Sequence, residues 1–379
     1  MSSFIVPLVT VRSVTKHSNA DTLDVITFEE VAWTCVDKLG LRKVGDRVIY
    51  VPVEAVVKTS RPEFAFLADK AKADGTFRIR TIKLRGQVSQ GLIVSPPPFV
   101  PYSQLTGLVS PTPGSAYLPT TVETLPLGVD FSDFLEIIKY EPPEENAPPD
   151  RAGLFPGWCQ KTDAERFQNY NRTIELYQNI TYYKTLKMDG TSCTVFYDGD
   201  RPERPVGVCS HNYEIKQDDT AADKWFTDKI VGTNQYWAAA INQQLLNKIT
   251  KIAELLQTKH VAIQGEICGP GIQKNRMNFS SKQFLAFDIF DGEHGGYLDY
   301  PQFLSICKQL DIPTVTVLAV ETIEKDFPTK FDWVENLKYP NGYPAEGVVF
   351  VASPPQAVGS LGRLKFKVLS ATYDLKNKE

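Results

Sequence analysis

The sequence of 379 residues has no apolar run that approaches the ~18 residues a membrane-spanning helix needs. Its N-terminus also lacks a basic region followed by a long apolar core, which is the pattern of a secretory signal. The six cysteines are scattered and form no Cys-x-x-Cys pair, so neither a disulfide framework nor a zinc site is expected. We therefore expect a soluble, intracellular protein with no membrane partner, in which the thiols are reduced and mostly buried.

A basic excess is also missing. The formal net charge is −4, whereas proteins that bind phosphate chains without sequence preference are usually basic. Any surface for nucleic acid must therefore be local. With 42% hydrophobic residues, the chain can bury a large core, and we expect two or three domains without internal repeats.

The first quarter of the chain has the pattern of short β-strands. Residues 4–11 are apolar and β-branched, residues 24–28 alternate, and a Gly45-Asp46 turn precedes another strand. In residues 78–85, basic and β-branched side chains alternate, which predicts a strand with one core face and one basic face. Short, regular strands of this kind indicate a small barrel or sandwich.

Two proline-rich segments divide the chain. Residues 96–126 are rich in Pro, Ser, Thr and Gly, and we expect a long surface loop there. Residues 142–150 form a proline-stiffened, acidic linker, which predicts one domain over residues 1–141 and a second over residues 151–379.

Periodicity predicts the elements of the second domain. Apolar residues at intervals of three and four predict one helix with a buried face; they are Trp237, Ile241, Leu245, Ile249, Ile252 and Leu256. Apolar runs predict strands at 261–266, 284–290, 314–320, 346–351 and 363–369, with a helix around 300–310. This mixture indicates an α+β domain built mainly on antiparallel sheets.

Residues 185–190 carry the first chemical signal. The spacing Lys187-x-Asp189-Gly190 puts an amine and a carboxylate on the same side of an extended segment, with a glycine that lets the chain turn back. This arrangement can place a nucleophile beside a metal site. Taken alone, it also fits a solvated lysine at a strand end followed by a tight turn.

Further segments accompany this one. In chain order they are Thr162-Asp163-Ala164-Glu165-Arg166-Phe167-Gln168-Asn169, Gly265-Glu266-Ile267-Cys268-Gly269, Phe284-Leu285-Ala286-Phe287-Asp288-Ile289, Glu346-Gly347-Val348-Val349 and Lys365-Phe366-Lys367. The order and separations resemble the motifs of the covalent nucleotidyltransferases, the superfamily of ATP-dependent polynucleotide ligases and mRNA capping enzymes. The first segment resembles one RNA ligase branch of that superfamily.

The resemblance extends to the N-terminal part. Residues 17–21 and 85–92 resemble the N-terminal OB-fold module of this branch, and residues 139–143 resemble its interdomain junction. The resemblance implies an α+β fold, in which an N-terminal OB-type β-barrel precedes a nucleotidyltransferase domain of mainly antiparallel sheets with flanking helices. The proline-rich residues 96–126 are the least matched part.

The resemblance makes Lys187 the nucleophile that takes up AMP. A lysine amine with its ordinary pKa near ~10.4 is protonated at neutral pH and cannot attack phosphorus, so that pKa must fall by about 3 units. A divalent cation, with nearby lysines and an arginine, would lower it. The implied ligands for Mg²⁺ or Mn²⁺ are Asp189, Glu266 and Glu346, and both glutamates are also assigned to nucleotide binding. Either glutamate also fits a surface charge at a strand end.

Other basic residues are assigned to phosphate. Lys365 and Lys367 alternate on one strand, so both project from one face. The resemblance places them at the α-phosphate, where charge develops as pyrophosphate leaves, and Arg166 adds a bidentate phosphate contact. A solvated basic strand is the alternative for the lysine pair.

Four more residues are assigned to the nucleotide. Leu186, Phe287 and Val349 bind the cofactor, the last two as a sandwich around adenine that does not select ATP over GTP. A plain core role also fits Phe287 and Val349. His211 stands where the family often has arginine, so its contact with ribose or phosphate requires a suitable orientation or protonation. A loop histidine without a catalytic role fits equally well.

Together the motifs imply an ATP-dependent RNA ligase that uses Mg²⁺ or Mn²⁺. Only residues 368–379 follow Lys367, whereas capping enzymes and most DNA ligases have an OB domain there. The implied partner is RNA or a nicked duplex with an RNA 3′-hydroxyl strand, and a monomer is expected. Lys83 and Arg85 are candidate phosphate contacts, although Arg85 also fits a turn. The alternatives are a DNA ligase, a capping guanylyltransferase and a non-catalytic RNA-binding protein.

Overall fold

The computed structural model describes most of the chain. The described residues are 4–31, 33–101, 105, 119–140, 150–162, 164–167, 178–221, 234–323, 331–357 and 363–376. The predicted linker except for Asp150, residues 102–104 and 106–118 of the proline-rich segment, and Asp163, Gln168 and Asn169 of the first motif lie outside them. Among the described residues, no helix is long and apolar enough to cross a membrane.

The N-terminal part consists of short strands, as its alternating pattern predicts. They are β1 (Leu8–Lys16), β2 (Leu23–Phe28), β3 (Cys35–Lys38), β4 (Arg47–Val51), β5 (Ala55–Lys58), β6 (Thr76–Arg78), β7 (Ile82–Leu84), β8 (Gln87–Ser89), β9 (Leu92–Val94), β10 (Phe99–Pro101), β11 (Pro119–Thr121) and β12 (Ile138–Lys139). Short 3₁₀ helices span Pro62–Lys70 and Val122–Thr124. The main sheet has the order β3-β2-β1-β4-β9, and the smaller sheets are β12-β5-β6, β7-β8 and β10-β11. Residues of β1, β4, β5, β9 and β10 share one apolar cluster.

Two predictions for this part are wrong. Residues 78–85 are not one strand, because β6 ends at Arg78 and β7 begins at Ile82. Between them the side chain of Thr81 is buried and donates from its hydroxyl to Asp374 at 3.5 Å, so a contact with the other end of the chain overrides the alternation. The proline-rich segment is not only a loop, since β10 and β11 pair across it.

The second part contains two sheets and four helices among the described residues. The strands are β13 (Arg151–Leu154), β14 (Glu165–Arg166), β15 (Thr181–Leu186), β16 (Thr191–Asp198), β17 (Val206–Cys209), β18 (Tyr213–Ile215), β19 (His260–Cys268), β20 (Gln283–Asp291), β21 (Gly296–Tyr297), β22 (Val317–Thr322), β23 (Gly347–Ser353) and β24 (Lys365–Leu369). The helices are α1 (Asn234–Asn242), α2 (Leu245–Leu256), α3 (Tyr300–Gln309) and α4 (Ala371–Lys376), with a 3₁₀ helix at Phe331–Asn336.

The sheets are mainly antiparallel, as predicted. One has seven strands in the order β13-β18-β17-β16-β19-β20-β21, and the other has five in the order β14-β24-β23-β15-β22. Only the β14–β24 pairing within these two sheets is parallel among the described residues. The predicted α+β architecture is therefore confirmed.

The single helix predicted over residues 237–256 is wrong. The chain forms α1 and α2, which are separated at Gln243 and Gln244, and Gln244 adopts a left-handed conformation with φ of 56°. The Gln243 side chain accepts a hydrogen bond from the backbone of Phe284 in β20. This contact with the neighbouring sheet fixes the break, whereas the apolar spacing continues through it.

Two hydrophobic clusters hold the layers together. Trp237, Ile249 and Ile263 belong to the cluster between the helices and the seven-stranded sheet. Tyr50 of the N-terminal part and Phe350 of the five-stranded sheet belong to a second cluster, so the two parts of the chain share buried apolar contacts. The fold therefore places the N-terminal strands beside the five-stranded sheet.

Candidate active site

Lys187 lies where the chain crosses from one sheet to the other. Strand β15 ends at Leu186 in the five-stranded sheet, and β16 begins at Thr191 in the seven-stranded sheet. The Lys187 backbone is held on both sides, because its N–H donates to the Gly347 carbonyl at 3.0 Å and its carbonyl accepts from the Tyr339 hydroxyl at 2.9 Å. The nucleophile candidate therefore occupies a fixed corner.

Gly190 is needed at this corner for space. A Cβ at this position would lie 2.4 Å from the Ile267 carbonyl oxygen and 2.6 Å from Cγ of Glu266. The glycine thus lets the corner pack directly against β19 and brings Lys187 toward Glu266.

Two cavities adjoin at this corner. The first has a volume of about 200 Å³ and is lined by the predicted residues Leu186, Lys187, His211, Glu266, Phe287, Val349, Lys365 and Lys367. The second has a volume of about 390 Å³ and is lined by the predicted residues Arg166, Lys187, Asp189, Glu266 and Glu346. The structure therefore brings every predicted site residue to at least one of the two cavities.

The walls of the first cavity come from both sheets. Phe287 belongs to β20 of the seven-stranded sheet, and Val349 belongs to β23 of the five-stranded sheet. Both side chains are only partly buried, so they are exposed to the cavity as well as packed against the core. A planar ring can enter between such walls, while His211 lines the same cavity just after β17.

Three carboxylates lie near the Lys187 amine and affect its pKa. Its Nζ lies 2.9 Å from Oε1 of Glu346. Burial lowers the pKa of Lys187, but the charges of Glu346, Glu266 and Asp189 outweigh it, so the pKa lies above the ordinary value. The groups of the protein alone therefore do not supply the lowering that attack on phosphorus requires.

The same carboxylates fit a hydrated divalent cation. Burial raises the pKa of Glu266 to about 7; the Lys187 charge opposes this rise, whereas the charges of Glu346 and Asp189 add to it. The oxygens of these three residues are not all within 4.8 Å of one another, since among the described residues only Asp198, Asp200 and His260 form such a group. Oxygen ligands spread around a cavity suit Mg²⁺ or Mn²⁺ that keeps some of its waters.

Lys365 and Lys367 have different environments on one strand. The Lys365 ammonium lies 2.8 Å from Asp288 and 4.5 Å from the ring centroid of Phe287. Burial, followed by the charges of Lys187 and Arg166, lowers the pKa of Lys367 to about 8. Lys365 is thus paired with a carboxylate, whereas Lys367 is a partly buried cation close to two other cations.

Arg166 joins the two parts of the chain. Its guanidinium lies 2.9 Å from Glu54 of the N-terminal part and 3.6 Å from Asp374 of α4. Arg166 is therefore paired with carboxylates, and a phosphate contact would have to compete with them.

Sequence patterns did not point to several residues of the second cavity. Arg78 and Arg80 reach it from the N-terminal part, and Arg276 and Tyr373 reach it from the second part. None of them lies in a recognised motif. The alternating basic residues at 78–85 are the only signal in the sequence, and that pattern predicts a strand face rather than a cavity wall.

The fold and the residues that line the two cavities together indicate the class of protein to which this chain belongs. Antiparallel sheets hold a lysine among carboxylates, with two further lysines on β24, which is separated by one strand from β15, as the resemblance to covalent nucleotidyltransferases predicts. The model of the RNA ligase family matches residues 180–368, and the model of an OB-fold domain matches residues 5–96. No match was found among curated proteins.

Solved structures give the same answer over the whole chain. A Naegleria gruberi RNA ligase mutant with ATP and Mn is 26% identical, with a TM-score of 0.72, over 99% of both chains. The same organism's RNA ligase with pyrophosphate is 26% identical, with a TM-score of 0.71, over 100% of this chain and 99% of that one. A mutant of the same ligase with AMP and Mn is 26% identical, with a TM-score of 0.72, over 100% of this chain and 99% of that one. The chain belongs to the RNA ligase family and has an N-terminal OB-fold domain.

Proposed function

We propose that this protein is an ATP-dependent RNA ligase that seals 3′-hydroxyl and 5′-phosphate ends at nicks in duplexes, through a lysyl-AMP intermediate on Lys187. We further propose an intracellular monomer in which residues 1–141 bind nucleic acid and residues 151–379 form the adenylation domain. The buried, free cysteines of the chain support a reducing compartment.

The observation that carries the proposal is the position of Lys187 between two unlike cavities. The first cavity has apolar walls that suit a purine, such as Phe287 and Val349. The second contains arginines that suit a polyphosphate, among them Arg78 and Arg80. An ATP molecule that spans both cavities would have its α-phosphate next to Lys187.

The reaction then has three steps. The Lys187 amine loses a proton and forms a bond to the α-phosphorus as the bond to the bridging oxygen of pyrophosphate breaks. A 5′-phosphate oxygen next attacks this phosphorus and releases the lysine. A 3′-hydroxyl finally attacks the 5′-phosphate, and AMP leaves. Lys365 and Lys367, which line the cavity beside Lys187, are placed to neutralise the charge that develops on the phosphoryl oxygens.

A divalent cation fits this scheme. Mg²⁺ or Mn²⁺ at Asp189, Glu266 and Glu346 would lower the pKa of the Lys187 amine and neutralise phosphate charge. Solved relatives that contain ATP and Mn support this choice.

The RNA surface that we propose includes the β7–β8 hairpin. Lys83 and Arg85 are exposed there and have no carboxylate partner among the described residues. The hairpin is held from outside, because Nδ2 of Asn19 donates to the Arg85 carbonyl at 3.3 Å and the His17 ring bonds the Leu84 carbonyl at 2.9 Å. A fixed hairpin with free cations suits a nucleic-acid backbone.

The test is incubation of the protein with α-labelled ATP and Mg²⁺ or Mn²⁺. We expect label on the wild type and none on Lys187→Ala. Lys184→Ala is the matched control, since Lys184 lies on β15, which leads into Lys187, and pairs with Glu321 at 2.8 Å outside the cavities. Equal label on wild type and Lys187→Ala would exclude this nucleophile.

The alternatives are separated in the same assay. Preference for GTP would indicate a capping enzyme, and efficient sealing of nicks with DNA 3′-hydroxyl ends would indicate a DNA ligase. Binding of RNA without any protein label would indicate a non-catalytic RNA-binding protein.

A further inference from the structure

The loop between β19 and β20 has an unusual backbone. Gln273, Asn275 and Asn278 adopt positive φ angles of 48°, 45° and 54°, and Gly269 and Gly271 adopt 127° and 76°. Asparagine tolerates a left-handed conformation through local hydrogen bonds, whereas glutamine adopts it only where the surroundings hold it. Backbone strain of this kind is concentrated at functional sites, so the loop requires an explanation.

Several side chains hold this loop in place. Asn275 closes the turn, because its Nδ2 donates to the Phe279 carbonyl at 3.0 Å and its Oδ1 accepts from the Phe279 N–H at 3.1 Å. Gln273 donates to the carbonyl of Gly190 at 3.2 Å, and Asn341 donates to the carbonyl of Arg276 at 2.8 Å. The loop is therefore attached to the Lys187 corner at Gly190 and to the segment that contains Asn341.

The loop holds the side chain of Arg276 in a buried position. The Arg276 side chain is 6% exposed, and its Nη1 donates to Oδ2 of Asp189 at 2.7 Å and to the Tyr373 hydroxyl at 3.2 Å. Asp189 is itself buried, with 9% of its side chain exposed. A charge-assisted bond between buried groups fixes the carboxylate more strongly than a surface ion pair would.

We propose that Arg276 is a positioning residue of the active site, which fixes the Asp189 carboxylate beside Lys187. The proposal rests on the proposed function, since it concerns the same transfer. Asp189 is two residues from Lys187 and has Gly190 after it, so it lacks a rigid element of its own. The arginine on the strained loop supplies that rigidity, and Tyr373 couples it to helix α4.

The bond geometry predicts how substitutions behave. Only Nη1 of Arg276 bonds Asp189, so the ammonium of Arg276→Lys can replace part of the contact. Arg276→Met removes the ionic contact and leaves only the neutral Tyr373 hydroxyl of this pair beside the carboxylate. A displacement of about 1 Å in an active site can reduce the rate roughly 100-fold, so we expect a loss of this order in lysine adenylation, with partial recovery in Arg276→Lys.

A double-mutant cycle with Asp189→Asn tests whether Arg276 acts through Asp189. We expect Arg276→Met to reduce the single-turnover adenylation rate about 100-fold in the wild type and less than about 5-fold in Asp189→Asn. A second measurement on the protein without nucleotide is the thermal midpoint, which should fall in Arg276→Met and fall less when Asp189→Asn is present. If Arg276→Met is unstable, Arg276→Lys in both backgrounds gives the same comparison.

The outcomes are distinct. Losses that multiply in the double mutant, or a wild-type rate in Arg276→Met, would overturn the proposal while the proposed function stands. A wild type that takes up no label from ATP would defeat the proposed function, and the role of Arg276 in it would fall as well.

Discussion

Replacement of Lys367 by methionine should abolish ligation and stabilise the protein. Methionine keeps most of the length and apolar volume of the side chain but removes a charge that burial, Lys187 and Arg166 disfavour. Active-site residues are often held at a cost in stability, so activity and stability should change in opposite directions here.

The magnitude follows from the pKa of Lys367, which falls from 10.5 to about 8. At 1.36 kcal/mol per pKa unit this corresponds to about 3 kcal/mol. The side chain is only partly buried, so solvent screens part of this term, and we expect a gain of about 1–2 kcal/mol at neutral pH.

The pH dependence of the free energy of unfolding tests whether the Lys367 charge destabilises the folded protein. Between about pH 8 and 10.5 the unfolded chain still holds the Lys367 proton, whereas the folded chain has released it, so wild-type stability gains with rising pH. The penalty is complete below about pH 8 and disappears above 10.5. The gain in Lys367→Met should therefore shrink across this window.

Urea unfolding at several pH values measures the effect. Lys365→Met is the matched control, because Lys365 pairs with the buried Asp288 at 2.8 Å and its removal should cost about 1–3 kcal/mol. If Lys367→Met is less stable than the wild type at neutral pH, or if its gain does not change with pH, the reasoning about this lysine is refuted.

Three further variants have defined outcomes. Gly190→Ala should lower the free energy of unfolding by at least about 1–3 kcal/mol and reduce adenylation, because its Cβ would lie 2.4 Å from a backbone oxygen. Gly157→Ala, which has no neighbour within 4 Å, should change neither the free energy of unfolding nor adenylation. Glu266→Gln should stabilise the protein above about pH 7, because the folded state there holds an ionised carboxylate that its raised pKa shows to be unfavourable. Below pH 4.5 Glu266 is protonated in both the folded and the unfolded chain, so the substitution should have little effect. Glu54→Gln breaks the 2.9 Å pair with Arg166 and should cost about 1–3 kcal/mol at neutral pH; the lowered pKa of Glu54 means that this difference is lost in acid. Equal urea midpoints of wild type and variant at neutral pH would contradict either glutamate prediction.

Local patterns predicted the elements that depend on local chemistry. The apolar runs at 261–266 and 284–290 lie within β19 and β20, because buried central strands need continuous apolar sequence. The predicted strand at 314–320 begins only at Val317, since Thr314 makes an isolated parallel bridge to Ala286. The break at Gln244 escaped prediction for the same reason, because its cause lies in a distant strand.

A similar division applies to the site. Residues such as Lys187, Glu266 and Lys365 occur in short motifs whose spacing reflects one strand or one turn, so they could be found from sequence. Arg276 reaches Asp189 across 87 positions through a loop without a motif, and Arg80 reaches the second cavity from another part of the chain. Contacts of this kind depend on how the sheets meet, which composition and periodicity do not encode.

The central claim is that Lys187 carries AMP. Peptide mapping by mass spectrometry, after incubation with ATP and Mn²⁺, locates the adduct directly. The account predicts one AMP on the peptide that contains Lys187, lost when RNA with a 5′-phosphate at a nick is added. An adduct on another residue, or an adduct that nicked RNA does not discharge, would contradict it.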